Sequence, residues 1–106
     1  MTGDMPVTLY THSGILSCGG VEVQLSPQET TILETLAHHP GFFVSLDRLL
    51  LCVYDDREPS DATSSIRVAI HHLRRKILPL SPFGCRIESK HGTGYRAHPK
   101  IEIVKQ

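Results

Sequence analysis

The stretch from Ser60 to Leu78 constrains this chain more than any other. Ile66, Ile70, Leu73 and Ile77 recur there at helical spacing. At about 100° per residue they fall within roughly 60° of one another, which makes a core-facing stripe. The opposite face carries Ser64, Val68, His71 and Arg75, flanked by Arg67 and His72. Ser60 or Asp61 is placed to cap the start, and Pro79 bars continuation past the end. Short hydroxyls, imidazoles, guanidiniums and one small apolar group are what a helix needs to read base edges in a major groove. Taken alone, the same face fits a solvated basic surface equally well.

A chain of 106 residues supports one domain with its own core. Its 40% apolar and 21% charged residues are globular proportions. No apolar run approaches the roughly 20 residues of a membrane helix, so no membrane partner is expected. The start, Met1 to Pro6, lacks the basic and apolar blocks of a signal peptide. Cys18, Cys52 and Cys85 have no short spacing, which fits buried thiols in a reducing compartment and a cytoplasmic location. The net charge is zero, but it is segregated. Residues 1–63 hold two cations against nine acids, and residues 64–106 hold nine cations against two acids. A basic face opposite an acidic one steers a polyanion.

In chain order, Val7–Tyr10, Gly14–Cys18 and Val21–Leu25 read as short strands, the last two joined by a Gly19-Gly20 turn. A small antiparallel sheet is expected. Ser26, Pro27 and Glu29 announce a helix with a capping box, and Ile32, Leu33, Leu36 and Ala37 give its core face. The adjacent His38 and His39 at its end are poor metal ligands, because neighbouring helical residues diverge. Ser45 caps a second, short helix marked by Leu46, Leu49, Leu50 and Val53. Residues 55–59 form a charged, Pro-closed loop, and residues 80–84 a second loop. Residues 85–89 and 95–97 flank a glycine-rich turn, giving a β-hairpin with a basic tip. No helix follows Gly92-Thr93-Gly94, which removes the phosphate-loop reading. Residues 99–106 are expected to form a tail.

Sheet, helix, short helix, long helix and basic hairpin form the plan of a winged helix-turn-helix: an α+β fold with an N-terminal small antiparallel sheet, three helices and a C-terminal β-hairpin wing. One domain over 1–106 is expected, with its core at about 7–98. Several blocks resemble the OmpR/PhoB-type DNA-binding effector domains of bacterial response regulators. Leu25-Ser26-Pro27-Gln28-Glu29 with Ile32-Leu33 resembles the family's opening helix. His39-Pro40-Gly41 with Val44-Ser45, and Leu49-Leu50 with Val53-Tyr54, resemble the segments that follow. Val68 to Ile77 and Ile87 to Arg96 match the recognition-helix and wing blocks. Together they span about Val7 to His98.

The resemblance implies sequence-specific binding of double-stranded DNA and transcription regulation, in a bacterium or a phage. It places the helix over 60–78 in the major groove and the wing over 86–96 at the minor groove. Val68, His71, His72 and Arg74 then fall where family members contact bases and nearby backbone. Ser64 and Ser65 stand in place of an Arg-Thr pair at the helix start. Ser89 falls where a wing threonine touches phosphate, and His91 where a wing arginine enters the minor groove. Arg67 flanks this face, and charge alone adds Arg75, Lys76, Lys90 and Arg96 as phosphate contacts. The resemblance also implies a second partner, RNA polymerase, through the loop that holds Asp55, Asp56, Arg57 and Glu58, and a DNA-assisted homodimer. The chain opens directly ahead of the sheet, without the receiver domain of a response regulator, as a free-standing regulator or a fragment would.

Histidines replace arginines at the base-facing positions, and Leu46 stands where the second helix starts with an arginine in the family. An imidazole lacks arginine's bidentate fork and changes charge near neutral pH. DNA affinity is therefore expected to rise as pH falls from about 7.5 to 6. The same departures leave an alternative open, a protein-interaction module acting as an anti-activator or polymerase binder with weak or no DNA binding. No nucleophile–base pattern, zinc spacing or nucleotide motif supports an enzyme, a metal or a cofactor.

Overall fold

The computed structural model describes residues 6–54 and 61–105. Strands β1 (Val7–Tyr10), β2 (Ile15–Cys18) and β3 (Val21–Gln24) form an antiparallel meander. Gly19 and Gly20 close the β2–β3 hairpin with φ of 58° and 83°, as a tight two-residue turn requires. Val7, Leu9 and Leu16 are fully buried on the inner face. The sheet is mixed rather than antiparallel throughout. Its order is β3-β2-β1-β6, and β6 (Ile101–Val104) runs parallel to β1.

This corrects the expected tail over 99–106. The reason is hydrogen-bond accounting: the free edge of central β1 exposes backbone groups that must find partners. Residues 101–104 supply them, and Ile101 enters the core at 4% exposure.

Helix α1 (Pro27–Ala37) starts as expected. The Ser26 hydroxyl accepts from the Glu29 backbone N–H at 3.2 Å, and the Glu29 carboxylate accepts from the Ser26 N–H at 2.9 Å. Helix α2 (Leu46–Tyr54) is capped by Ser45, whose hydroxyl accepts from the Arg48 N–H at 3.2 Å. Leu49 and Leu50 are buried, while Leu51 and Cys52 face outward. So only Cys18 and Cys85 are buried thiols, and Cys52 departs from that expectation. Burial, with the Cys18 thiol adding, pushes Cys85 up to about 11, so it stays a neutral core group.

Helix α3 (Ala62–Lys76) buries Ile66, Ile70 and Leu73 as the periodicity requires, and Ile77 follows at its end. Asp61, one of the two positions expected, occupies the cap but makes no side-chain capping hydrogen bond. Ser60 lies outside the described residues. The helix ends at Lys76, and residues 78–83 wind into a 3-10 helix instead of a loop. Pro79 and Pro82 lack N–H donors, which a short i→i+3 turn tolerates, and Leu80 anchors the turn in the core at 0% exposure.

Strands β4 (Arg86–Lys90) and β5 (Gly94–His98) form the wing. The sheet, three helices, Leu80, Cys85 and Ile87 share one apolar core.

Candidate nucleic-acid interface

Helix α3 sorts its residues by the angle at which they leave the axis. The buried stripe fixes the rotation of the helix, so Ser64, Arg67, Val68, His71, His72 and Arg75 all point outward and are exposed. Val68 is 52% exposed, an apolar side chain among polar ones. The His71 and His72 rings lie 5.9 Å apart at 52°. Ser65 is half-buried at the edge of this face.

The wing is held to the helices by three kinds of contact. Val44, ahead of α2, exchanges both backbone hydrogen bonds with Tyr95, at 2.7 and 2.9 Å. Gly94 makes that approach possible: a Cβ there would lie 2.0 Å from the Val44 carbonyl oxygen, and its φ is 146°. Arg74 Nε donates to the Ile87 carbonyl at 3.2 Å, with its guanidinium 5.9 Å from the Tyr95 ring centroid. Arg96 donates to Glu88 across the hairpin at 2.8 Å and stacks at 4.3 Å over Phe43. Hydrogen bonds from Arg96 and then Arg86 hold the Glu88 carboxyl below the usual carboxylate range.

Two open clefts border α3, and the bracing of the wing forms the first of them. The first lies between the start of α2, α3 and the wing. It brings Arg67, Ser89, Lys90 and His91 together with Ser45 and Asp47. The second lies between the start of α1 and α3, where Ser64, Ser65, Val68 and His72 face Gln28 and Glu29. Cations and hydroxyls thus surround the exposed face of α3, with the apolar Val68 among them.

Three predicted site residues are engaged elsewhere. Lys76 turns away from the outward face and donates to Glu29 at 2.7 Å. Burial would raise the Glu29 carboxyl, but the Lys76 hydrogen bond and the Ser26 cap outweigh it and hold it below its ordinary value. Arg96 is paired with Glu88, and Arg74 braces the wing. Arg67, Arg75 and Lys90 form no ion pair among the described residues. Asp55, Asp56, Arg57 and Glu58 lie outside the described residues.

Sequence reasoning missed Ser45, Asp47 and Gln28 as cleft residues and Phe43 as the platform under Arg96. Ser45 carried a signal only as a cap; the cleft it lines exists only once the wing folds back.

A family model described as "Transcriptional regulatory protein, C terminal" matches residues 20–97. The chain belongs to this family. Its members are the OmpR/PhoB-type DNA-binding domains, a winged-helix rather than an enzyme family. The domain is 40% identical over 78 residues to the transcriptional regulatory protein BaeR of Escherichia coli O6:H1, covering 73% of this chain and 32% of that protein. It thus spans about a third of that relative's length. The C-terminal domain of the nisin resistance regulator NsrR superposes with a TM-score of 0.73 at 34% identity, over 88% of this chain and 93% of that one. The Klebsiella pneumoniae RstA DNA-binding domain, solved in complex with the RstA box, gives a TM-score of 0.59 at 31% identity, over 78% and 81%.

Proposed function

We propose that this chain binds double-stranded DNA in a sequence-specific manner and regulates transcription, with α3 in the major groove and the β4–β5 wing at the adjacent minor groove. The observation that carries the reading is the braced pairing of an outward, uncommitted α3 face with the wing across one cleft. Ser64, Val68, His71 and His72 face the bases; Arg67, Arg75, Ser89 and Lys90 face phosphates; His91 reaches the minor groove. Membership of a DNA-binding family, and the RstA relative solved on its DNA box, support it. Such a role belongs in the cytoplasm of a bacterium or of a phage's host, and no helix among the described residues is long and apolar enough to cross a membrane.

The proposal extends to two further contacts. RNA polymerase would meet Asp55, Asp56, Arg57 and Glu58, and two copies would bind side by side on repeated sites. Neutralising those four side chains should reduce activation while DNA binding persists; unchanged activation would remove the polymerase contact.

Selection of sites from a random duplex pool at low salt, followed by fluorescence anisotropy at rising salt, tests the main reading. An enriched motif whose affinity falls steeply with salt is expected. No enrichment and no binding at low salt would instead favour a protein-binding role for the fold.

A further inference from the structure

We infer that protonation of His71, His72 and His91 sets the strength of DNA binding, so that this domain binds more tightly, and with a steeper salt dependence, as pH falls. The inference rests on the DNA-binding reading and adds its regulation. It follows from which cations the fold leaves available.

Among the permanent cations near the α3–wing side, Lys76 is consumed by Glu29 and Arg96 by Glu88. Arg86 also pairs with Glu88, and Arg74 is turned onto the Ile87 carbonyl. Arg67, Arg75 and Lys90 remain without an ion pair among the described residues. The three imidazoles stand among these and are all exposed. Charging them would raise the positive groups without an ion pair on this face from three to six, with Lys90 lying 5.9 Å from the Phe43 ring centroid.

The surroundings of each ring bear on the sign. His71 lies between Arg67 and Arg75, one turn away on either side, with the His72 ring at 5.9 Å. His72 opens onto the cleft that holds Glu29 of α1 and Asp61 at the head of α3; Glu29 is already shared with Lys76. His91 sits at the wing tip beside Lys90, in the cleft that holds Asp47 of α2 and Arg67 of α3. A phosphate backbone laid across this face favours the charged form of each ring it approaches. Proton uptake is therefore coupled to binding, and histidine is the side chain whose charge changes between about pH 5 and 8.

The test uses the whole chain and the best duplex from selection, with anisotropy titrations at several salt concentrations at pH 6 and pH 8. Wild type should bind at least about tenfold more tightly at pH 6. The slope of log K against log salt should steepen by up to about 0.9 for each ring that takes part. The triple variant H71Q/H72Q/H91Q keeps side chains that donate and accept hydrogen bonds but do not charge. It should bind with the same slope at both pH values. H12Q, in the exposed turn between β1 and β2 and outside both clefts, should behave as wild type, and circular dichroism verifies that each variant is folded. Equal affinity and slope at both pH values for wild type would overturn the inference and leave the DNA reading intact. So would a pH response that survives in the triple variant. No binding at either pH would overturn both.

Discussion

Arg75 and Lys76 are neighbours in the chain and opposites in the structure. Lys76 leaves α3 on the side that packs against α1, where it meets a carboxylate with 6% side-chain exposure. Arg75 leaves about 100° away, in solvent, with no ion pair among the described residues. The same contrast divides the whole domain. On the scaffold side, polar groups are spent on one another, and among the described residues no buried side-chain nitrogen or oxygen lacks a partner. On the outward side of α3, Arg67 and Arg75 form no ion pair among the described residues, and His71 and His72 stand exposed beside them. A charge counted along a sequence is thus not a charge available to a ligand; helix rotation decides which it is.

Breaking the scaffold should cost most stability. Gly94→Val drives a Cβ into the Val44 carbonyl and forces a side chain onto φ 146°. A loss of about 3 kcal/mol or more is expected, seen as a fall in Tm of more than about 10 °C. Retention of wild-type Tm would mean that the wing is not braced through Val44.

Glu29→Ala comes next. It leaves the Ser26 N–H and Lys76 without their shared acceptor. Since Lys76 is partly exposed and rehydrates, the expected cost is about 2 kcal/mol by urea denaturation. This site also makes stability pH-dependent. The Glu29 carboxyl titrates lower in the folded state than in the unfolded chain, so its contribution is complete above the unfolded value of about 4.3. It disappears as pH falls through the folded value. Glu29→Gln should flatten the stability profile in that acid window; an unchanged profile would place the acid sensitivity on another group.

The smallest stability effects and the sharpest contrast come from the neighbours themselves. Lys76→Ala should cost about 1 kcal/mol and leave the salt slope of DNA binding unchanged. Arg75→Ala should leave stability within about 0.5 kcal/mol and lower that slope by about 0.9. Equal slopes for the two variants would erase the distinction between scaffold and outward side.

The elements legible in the sequence are those with local signals. The capping box at Ser26 and Glu29, the core stripe of α3 and the glycine turns of both hairpins are written within a few residues, and the structure has them. Strand β6 escaped because its partner, β1, lies some 90 residues away, and a short Ile-Glu-Ile-Val run does not announce which edge it completes. The 3-10 turn over 78–83 was hidden by its prolines, which read as loop while Leu80 was already a core residue. At the candidate site, the outward residues followed from periodicity, but the commitments of Arg74, Lys76 and Arg96 did not. Those depend on Ile87, Glu29 and Glu88, and so on tertiary packing rather than on spacing along one helix.

If the outward face of α3 meets DNA, the salt dependence of binding must follow its cations. The decisive experiment is anisotropy titration across salt concentrations on one selected duplex for wild type, Arg75→Ala and Lys76→Ala. Wild type and Lys76→Ala should show a steep slope, and Arg75→Ala one lower by about 0.9. Absence of binding at low salt, or a slope that follows Lys76 instead of Arg75, would contradict binding through this face.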